Sequence, residues 1–195
     1  MIHPDTRLQH ISDAVGYGVF ATAPIPAGTI VYVKDSLEIT VAPADFDRHG
    51  PEMQAVIDKY SYIDERGDRI VSWDLAKYVN HCCQCNTIST GYGFEMALRD
   101  IAAGEQLTDE YGLFNLDVEM ELACDQPGCR RRIGPGDFDK YYPQWDETIR
   151  SVIPRLFEVE QPLGSLLTLE TKRELEAYRE DMGRYKSVYV LKLKD

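Results

Sequence analysis

Basic residues are in short supply in this chain of 195 residues. Its 21 lysines and arginines face 33 aspartates and glutamates, a formal net charge of −12. A surface of that sign repels a phosphate backbone, so direct nucleic-acid binding is not expected. No apolar run approaches the ~20 residues a membrane span needs, so no membrane association is expected either. The opening MIHPDTRLQHISDAVG lacks a basic segment leading into an apolar one, and therefore a secretory signal. The expected setting is cytoplasmic and reducing, or nuclear in a eukaryotic cell. Cysteine is sparse and odd in number, five in all, which argues against a disulfide framework. What is present, 44% hydrophobic and 28% charged residues, suits a globular protein with one well-buried core, or a core domain and an extension. The acidic excess would steer a basic partner inward, although charge alone implies no more than solubility.

Along the chain, YGVFAT and TIVYV are β-rich runs around PIPAGT (24–29), whose two prolines and glycine rule out a helix. The device recurs at DIAAGEQL (100–107), and both strings read as hairpin turns. Between them, in GFEMALR, Phe94, Met96 and Leu98 alternate with Glu95, Ala97 and Arg99, as in a half-buried strand. PADFDRHGPEMQAVIDKY predicts a short helix, and YSYI with DERGDRIV predicts a hairpin. After about Phe138 the pattern changes. Trp145, Ile149, Val152, Ile153, Leu156 and Phe157 fall on one helical face, with Pro154 placed to kink it. TKRELEAYREDMG carries a capping-box pattern from Thr171 to Glu174, with Gly183 at the stop. The final SVYVLKL reads as a strand. The division expected is residues 1–136 as a mostly β unit and 137–195 as a helical extension for packing or partner contact.

Three stretches could carry chemistry. GYGVFA (16–21) fits a dinucleotide-binding variant of G-x-G-x-x-A, but TAPIPAG follows where that motif needs a helix, so the reading fails. Taken alone, Gly16 and Gly18 merely let strands turn closely. NHCCQCN (80–86) places three cysteines in four positions, and CDQPGC (124–129) adds two more in a Pro-Gly turn. On an extended segment Cys83 and Cys85 point to the same side. With Cys124 and Cys129 they could supply four thiolates to a tetrahedral zinc, though neither spacing is the C-x-x-C knuckle. EQLTDEYG (105–112) ends a strand with a tyrosine after two carboxylates; a lone tyrosine of this kind is usually a core residue.

In order and spacing, these segments resemble the SET-domain family of protein-lysine methyltransferases. The family's early G-x-G turn corresponds to Gly16-Tyr17-Gly18, and its N-H-S-C-x-P-N string to Asn80 through Asn86. Its G-E-E-L-T-[YF]-D-Y string corresponds to Gly104 through Tyr111, and its cysteine tail to Leu122 through Cys129. The resemblance covers about residues 8–135. It implies small β-sheets with a C-terminal pseudoknot, in which the Asn80-His81 and Glu110-Tyr111-Gly112 segments pass beside a bound S-adenosylmethionine. That cofactor would be held by Gly16, Tyr17, Gly18, Asn80, His81 and Tyr111. Tyr111 would be the catalytic tyrosine, and Tyr60 and Tyr62 would either wall a lysine channel or be plain strand aromatics. The partner implied is a lysine-bearing, basic protein.

The departures are specific. Cys82 stands for serine, Cys85 for proline, Leu122 for the first tail cysteine, and Asp109 for the tyrosine or phenylalanine that tunes how many methyl groups are added. Zinc on Cys83, Cys85, Cys124 and Cys129 would complete the family's metal site; otherwise the tail is metal-free. Two other functions stay open on these residues. One is a SET-like binding module that no longer catalyses, and the other is a zinc or redox protein built on the cysteines.

Overall fold

The computed structural model describes residues 1–124 and 126–194. Strand β1 (Thr6–Ser12) and strand β2 (Gly16–Ala21) form an antiparallel hairpin. β3 (Ile30–Val33), buried at every position, follows the first glycine turn. β4 (Ile39–Val41) leads into a single helical turn, α1 (Pro43–Phe46), and then α2 (Pro51–Tyr60). Both helices start with proline, whose missing N–H costs nothing in the first turn. The expected single helix is therefore two, interrupted around Gly50. β5 (Ser61–Ile63) and β6 (Arg69–Val71) form the expected hairpin, and β4 adds to its other edge.

The short strand β7 (Asn80–His81) is followed by β8 (Thr87–Ser89) and β9 (Phe94–Ala97). β9 is the middle strand of a sheet ordered β3-β9-β8. β10 (Thr108–Asp109) then lies parallel to β7. β11 (Met120–Glu121) pairs with β12 (Arg132–Ile133) around the cysteine tail. The remainder is helical: α3 (Asp137–Val152) and α4 (Leu169–Glu180), joined by 3-10 turns. This matches the mostly β architecture of small sheets with a helical C-terminal part that the sequence implied.

The two glycine turns are partners. Thr29 N–H donates to Pro26 at 3.1 Å and Glu105 N–H to Ala102 at 3.0 Å, closing two four-residue turns. Gly28 and Gly104, at φ +88° and +83°, occupy the left-handed position such turns reserve for glycine. Ile25 and Ile101 exchange backbone hydrogen bonds of 2.9 and 2.8 Å, so the recurring string marks two loops zipped to each other.

The apolar face expected of α3 is present. Trp145 and Ile149 are buried, as are Ile153 and Leu156 in the turn that follows. They share one core with Ile30, Phe94 and Met96 of the sheet and with Tyr178 and Val188. Pro154 does not kink a continuous helix, because α3 ends at Val152 and the chain tightens into a 3-10 turn over Ile153–Phe157. Gln161 locks this region to the sheet. Its Oε1 accepts from Ile30 N–H at 2.8 Å, while its Nε2 donates to the carbonyls of Gly28 and Leu156 at 2.9 Å each.

Two terminal readings need correction. α4 is capped by Thr168, which accepts from Thr171 N–H, so it starts three residues earlier than the Thr171 pattern suggested, and it ends at Glu180 before Gly183. The hydroxyl of Thr171 is drawn instead to the carbonyl of Tyr92. SVYVLKL holds a 3-10 turn over Val188–Leu191 and no strand. The Asp146 carboxylate claims Val188 N–H, the Ser187 hydroxyl and the Tyr185 hydroxyl, which bends the segment onto α3.

Candidate active site

The parallel β7–β10 pair is only two residues deep, with Asn80 opposite Thr108 and His81 opposite Asp109. Side chains supply the rest of the joint. Tyr111 N–H donates to His81 Nδ1 at 3.2 Å, which assigns the ring proton to Nε2, 3.4 Å from the sulfur of Cys83. Burial, assisted by the Arg130 guanidinium, lowers the pKa of His81 to about 4, so the ring is neutral at ordinary pH and acts as a fixed hydrogen-bonding strut. Asn80 Nδ2 donates to the Tyr17 carbonyl at 2.9 Å, tying β7 to β2. Gly18 sits under this bond; a Cβ there would lie 2.7 Å from Gln106 Nε2 and Ile11 Cδ1 and 3.0 Å from Asn80 Nδ2. The Tyr17 ring is half exposed, edge-on to His10 and Tyr78.

Tyr111 follows β10 in a turn capped by Glu110, and its hydroxyl donates to the Val79 carbonyl at 2.6 Å. Burial, then the charges of Asp109 and Glu95, push its phenol pKa above the ordinary value, so it remains a donor. It borders a cavity of about 410 Å³ that Tyr60, Tyr62 and Phe114 also line. Tyr62, Phe114 and Tyr111 make a continuous aromatic wall, with successive ring centroids 5.3 and 5.2 Å apart. Tyr60 reaches the cavity from the last position of α2, so it is not on the strand that carries Tyr62.

Two acids share this cavity. Asp109, 2% exposed, and Glu95 both line it. Burial raises the Asp109 pKa to about 7, and burial with the charge and hydrogen bond of nearby Asp109 raises Glu95 well above the ordinary carboxylate range. The alternation of β9 suggested that Glu95 and Ala97 face solvent; both faces are covered instead, and Ala97 belongs to a second apolar cluster with Ala21, Ile25 and Leu107. Sequence reasoning found Asp109 through its departure from a motif but passed over Glu95. A polar residue on a central strand was the available signal.

The sulfurs of Cys83, Cys124 and Cys129 lie within 4.8 Å of one another. Backbone N–H groups of Arg130 and Arg131 point at Cys83 and Cys129, at 3.4 and 3.3 Å; although the Arg131 N–H favours the thiolate, desolvation and the Cys83 and Cys124 thiols hold the pKa of Cys129 above its ordinary value. Although burial works the other way, hydrogen bonds from backbone and neighbouring thiols hold the pKa of Cys124 below its ordinary value. The three thiols fit three of the four positions of a tetrahedral zinc. Cys85 is not with them. Residues 82–85 make a turn instead of an extended segment, so the alternation that put Cys83 and Cys85 on one side does not apply. Burial and the Asp109 and Glu110 carboxylates push its thiol well up in pKa. Cys82 lies nearer, 3.9 Å from Cys124. Arg130 bridges the tail to Glu110 and to Asp137 at the start of α3.

A two-residue parallel joint beside a tyrosine-lined cavity, with a histidine strut and a cysteine-bearing tail, defines a SET-type architecture, and residues 16–112, about half the chain, match the family model for the SET domain. The chain belongs to the SET-domain family. It is 28% identical over 127 residues, 59% of its length, to histone-lysine N-methyltransferase ATX2 of Arabidopsis thaliana. It is also 28% identical over 136 residues, 63% of its length, to histone-lysine N-methyltransferase set1 of Dictyostelium discoideum. A variant-silencing SET domain-containing protein of Plasmodium falciparum (isolate 3D7) matches at 28% over 136 residues, 60% of the chain. These alignments cover 12%, 9% and 5% of those much longer proteins. No described helix is long and apolar enough to cross a membrane.

Proposed function

We propose that the chain transfers methyl groups from S-adenosylmethionine to the ε-amine of a lysine in a protein substrate. The observation that carries this reading is that adjacent residues of one segment tie two parts together: Asn80 Nδ2 binds the Tyr17 carbonyl, and the Val79 carbonyl takes the Tyr111 hydroxyl at the border of the aromatic cavity. The polar groups suit the cofactor: the Asn80 amide beside the Tyr17 main chain, and a glycine, Gly18, where any Cβ would intrude. When bound, the cofactor supplies a methyl group on a sulfonium, whose displacement needs no covalent help from the protein. The work left to the protein is positioning.

Residues 1–136 would form the catalytic unit, with the helices of 137–195 as its support. Asn80 and the main chain of Tyr17 and Gly18 would hold the cofactor, and His81 would keep the β7–β10 joint closed. Lysine, with a reference pKa of about 10.4, must shed its proton before it can attack. The Tyr62–Phe114–Tyr111 wall would exclude water from its tetramethylene stem and narrow its approach. Tyr111, its hydroxyl oriented by Val79, would place an oxygen beside the transferring carbon. Zinc on Cys83, Cys124 and Cys129 would brace the tail against this wall through Arg130 and Glu110. Relatives whose names specify histone lysine, together with a net charge of −12, support a basic protein substrate.

Calorimetric titration with S-adenosylmethionine and its demethylated product tests the reading. Micromolar binding that Asn80→Ala abolishes, then transfer to a lysine-peptide array that Tyr111→Phe eliminates without loss of fold, is the expected result. Binding of neither ligand would refute it and leave a SET-like binding module.

A further inference from the structure

Three converging thiols leave a structural zinc one ligand short, because such sites are closed by four protein ligands. The tail supplies no more, since Leu122 stands where its first cysteine would be. Among the described residues, the other candidates nearby are committed elsewhere. His81 Nε2 lies 3.4 Å from the sulfur of Cys83, but Nδ1 accepts from Tyr111 N–H, so Nε2 carries the ring proton and has no lone pair to give a metal. Glu110 and Asp137 are held by the Arg130 guanidinium. Cys85 lies near the Asp109 and Glu110 carboxylates instead.

Cys82 differs on two counts. Its sulfur is 3.9 Å from that of Cys124, and the sulfurs of Cys83 and Cys129 are 3.7 Å apart. With zinc–sulfur bonds of about 2.3 Å, the edge of a tetrahedron of four sulfurs is about 3.8 Å, so each pair has the separation of one edge. The local turn also matches. Gln84 N–H donates to the Cys82 sulfur at 3.4 Å, and Arg131 N–H donates to the Cys129 sulfur at 3.3 Å, in each case from two residues further on. Hydrogen bonds of this kind orient metal-bound sulfurs.

We propose that Cys82 is the fourth zinc ligand, so that two thiolates from the turn after β7 and two from the tail hold the metal, and the cysteine at position 82 replaces the one missing at position 122. Cys82 meets the other three through Cys124, and its side chain turns toward Cys83 and Cys129 as the metal binds. The thiols release their protons in that step. Because Cys82 and Cys83 follow His81 directly, the site staples the tail to the end of the β7–β10 joint, with His81 Nε2–H aimed at the Cys83 sulfur. The proposal rests on the zinc reading of the tail and not on methyl transfer.

The test uses the full chain, reduced with a phosphine, stripped of metal and loaded with zinc or cobalt(II). Zinc-edge X-ray absorption of the unmodified protein should give four sulfurs at about 2.3 Å. Cys82→Ser should lose one of them, lose about a quarter of the sulfur-to-cobalt charge-transfer absorption, and bind zinc about tenfold or more weakly against a chromophoric chelator. Cys85→Ser should match the unmodified protein in all three. Three sulfurs and one lighter atom in the unmodified protein would overturn the proposal, and that measurement needs no variant to fold. A Cys82→Ser protein indistinguishable from its parent, or an equal loss in Cys85→Ser, would overturn it too. Failure to take up either metal would overturn it together with the zinc reading, while titration with S-adenosylmethionine decides the methyl-transfer reading separately.

Discussion

Replacing Asp109 by asparagine should stabilise the protein, and by an amount that depends on pH. The folded-state pKa of Asp109 is about 7 against an ordinary 3.8. A carboxyl group whose pKa rises on folding binds its proton more tightly in the native state. Its contribution is therefore fully present below pH 3.8 and is lost as pH climbs through 7. The interval is roughly 3 pH units, which at 1.36 kcal/mol per unit amounts to about 4 kcal/mol as a ceiling. Asparagine cannot ionise, keeps an oxygen for Glu110 N–H and so avoids the penalty. Urea unfolding of both proteins at intervals from pH 4 to pH 8.5 should give near-equal stability at the acid end and a variant ahead by about 2–4 kcal/mol at the alkaline end. The difference curve removes what other titrating groups contribute equally to both proteins. A variant that is less stable at pH 8, or a flat difference across the range, would refute the buried-acid account.

Other outcomes follow from particular contacts. Gly28→Ala should cost about 2 kcal/mol or more, because a Cβ would lie 2.7–2.8 Å from the backbone of Arg155 and Leu156 at a φ of +88°; thermal melting reads this, and an unchanged Tm would contradict it. Gly18→Ala should displace Asn80 and weaken S-adenosylmethionine binding while barely moving Tm, a split that calorimetry and melting together resolve. Ile149→Ala, at a fully buried position shared by sheet and helices, should lose about 2–5 kcal/mol in denaturant unfolding. Elemental analysis of untagged protein should find one zinc per chain, retained in Cys85→Ser and lost in Cys124→Ser; equal zinc content in the two variants would break the assignment to the three converging thiols.

What sequence alone made legible tracks how local the deciding physics is. The glycine turns, the β5–β6 hairpin and the apolar face from Trp145 to Phe157 are set by neighbours a few residues apart. They were readable even where α3 ended sooner than expected. The site segments around Asn80 and Tyr111 were readable for a different reason, since their spacing resembled a family. Glu95 was not, because alternation along β9 cannot reveal that a second cluster covers its other face. Cys85 was misplaced because a turn at 82–85 breaks the two-residue period. SVYVLKL has the composition of a strand, yet one distant carboxylate, Asp146, takes its backbone and hydroxyl donors. In each miss, a partner far along the chain overrode a sound local preference.

The parallel pairing of β7 with β10 also orders events in time. During synthesis Asn80 and His81 emerge well before the residues they pair with, and the loop between them must first build β8 and β9. The histidine strut, the Tyr111 turn and the cavity they border cannot be completed until Thr108–Tyr111 has been made, after the β8–β9 hairpin is available. A chain without that joint has nowhere to place a cofactor. Any ligand that grips the finished joint binds the native state alone and holds the whole chain against unfolding, so occupancy of the site reports that folding is finished.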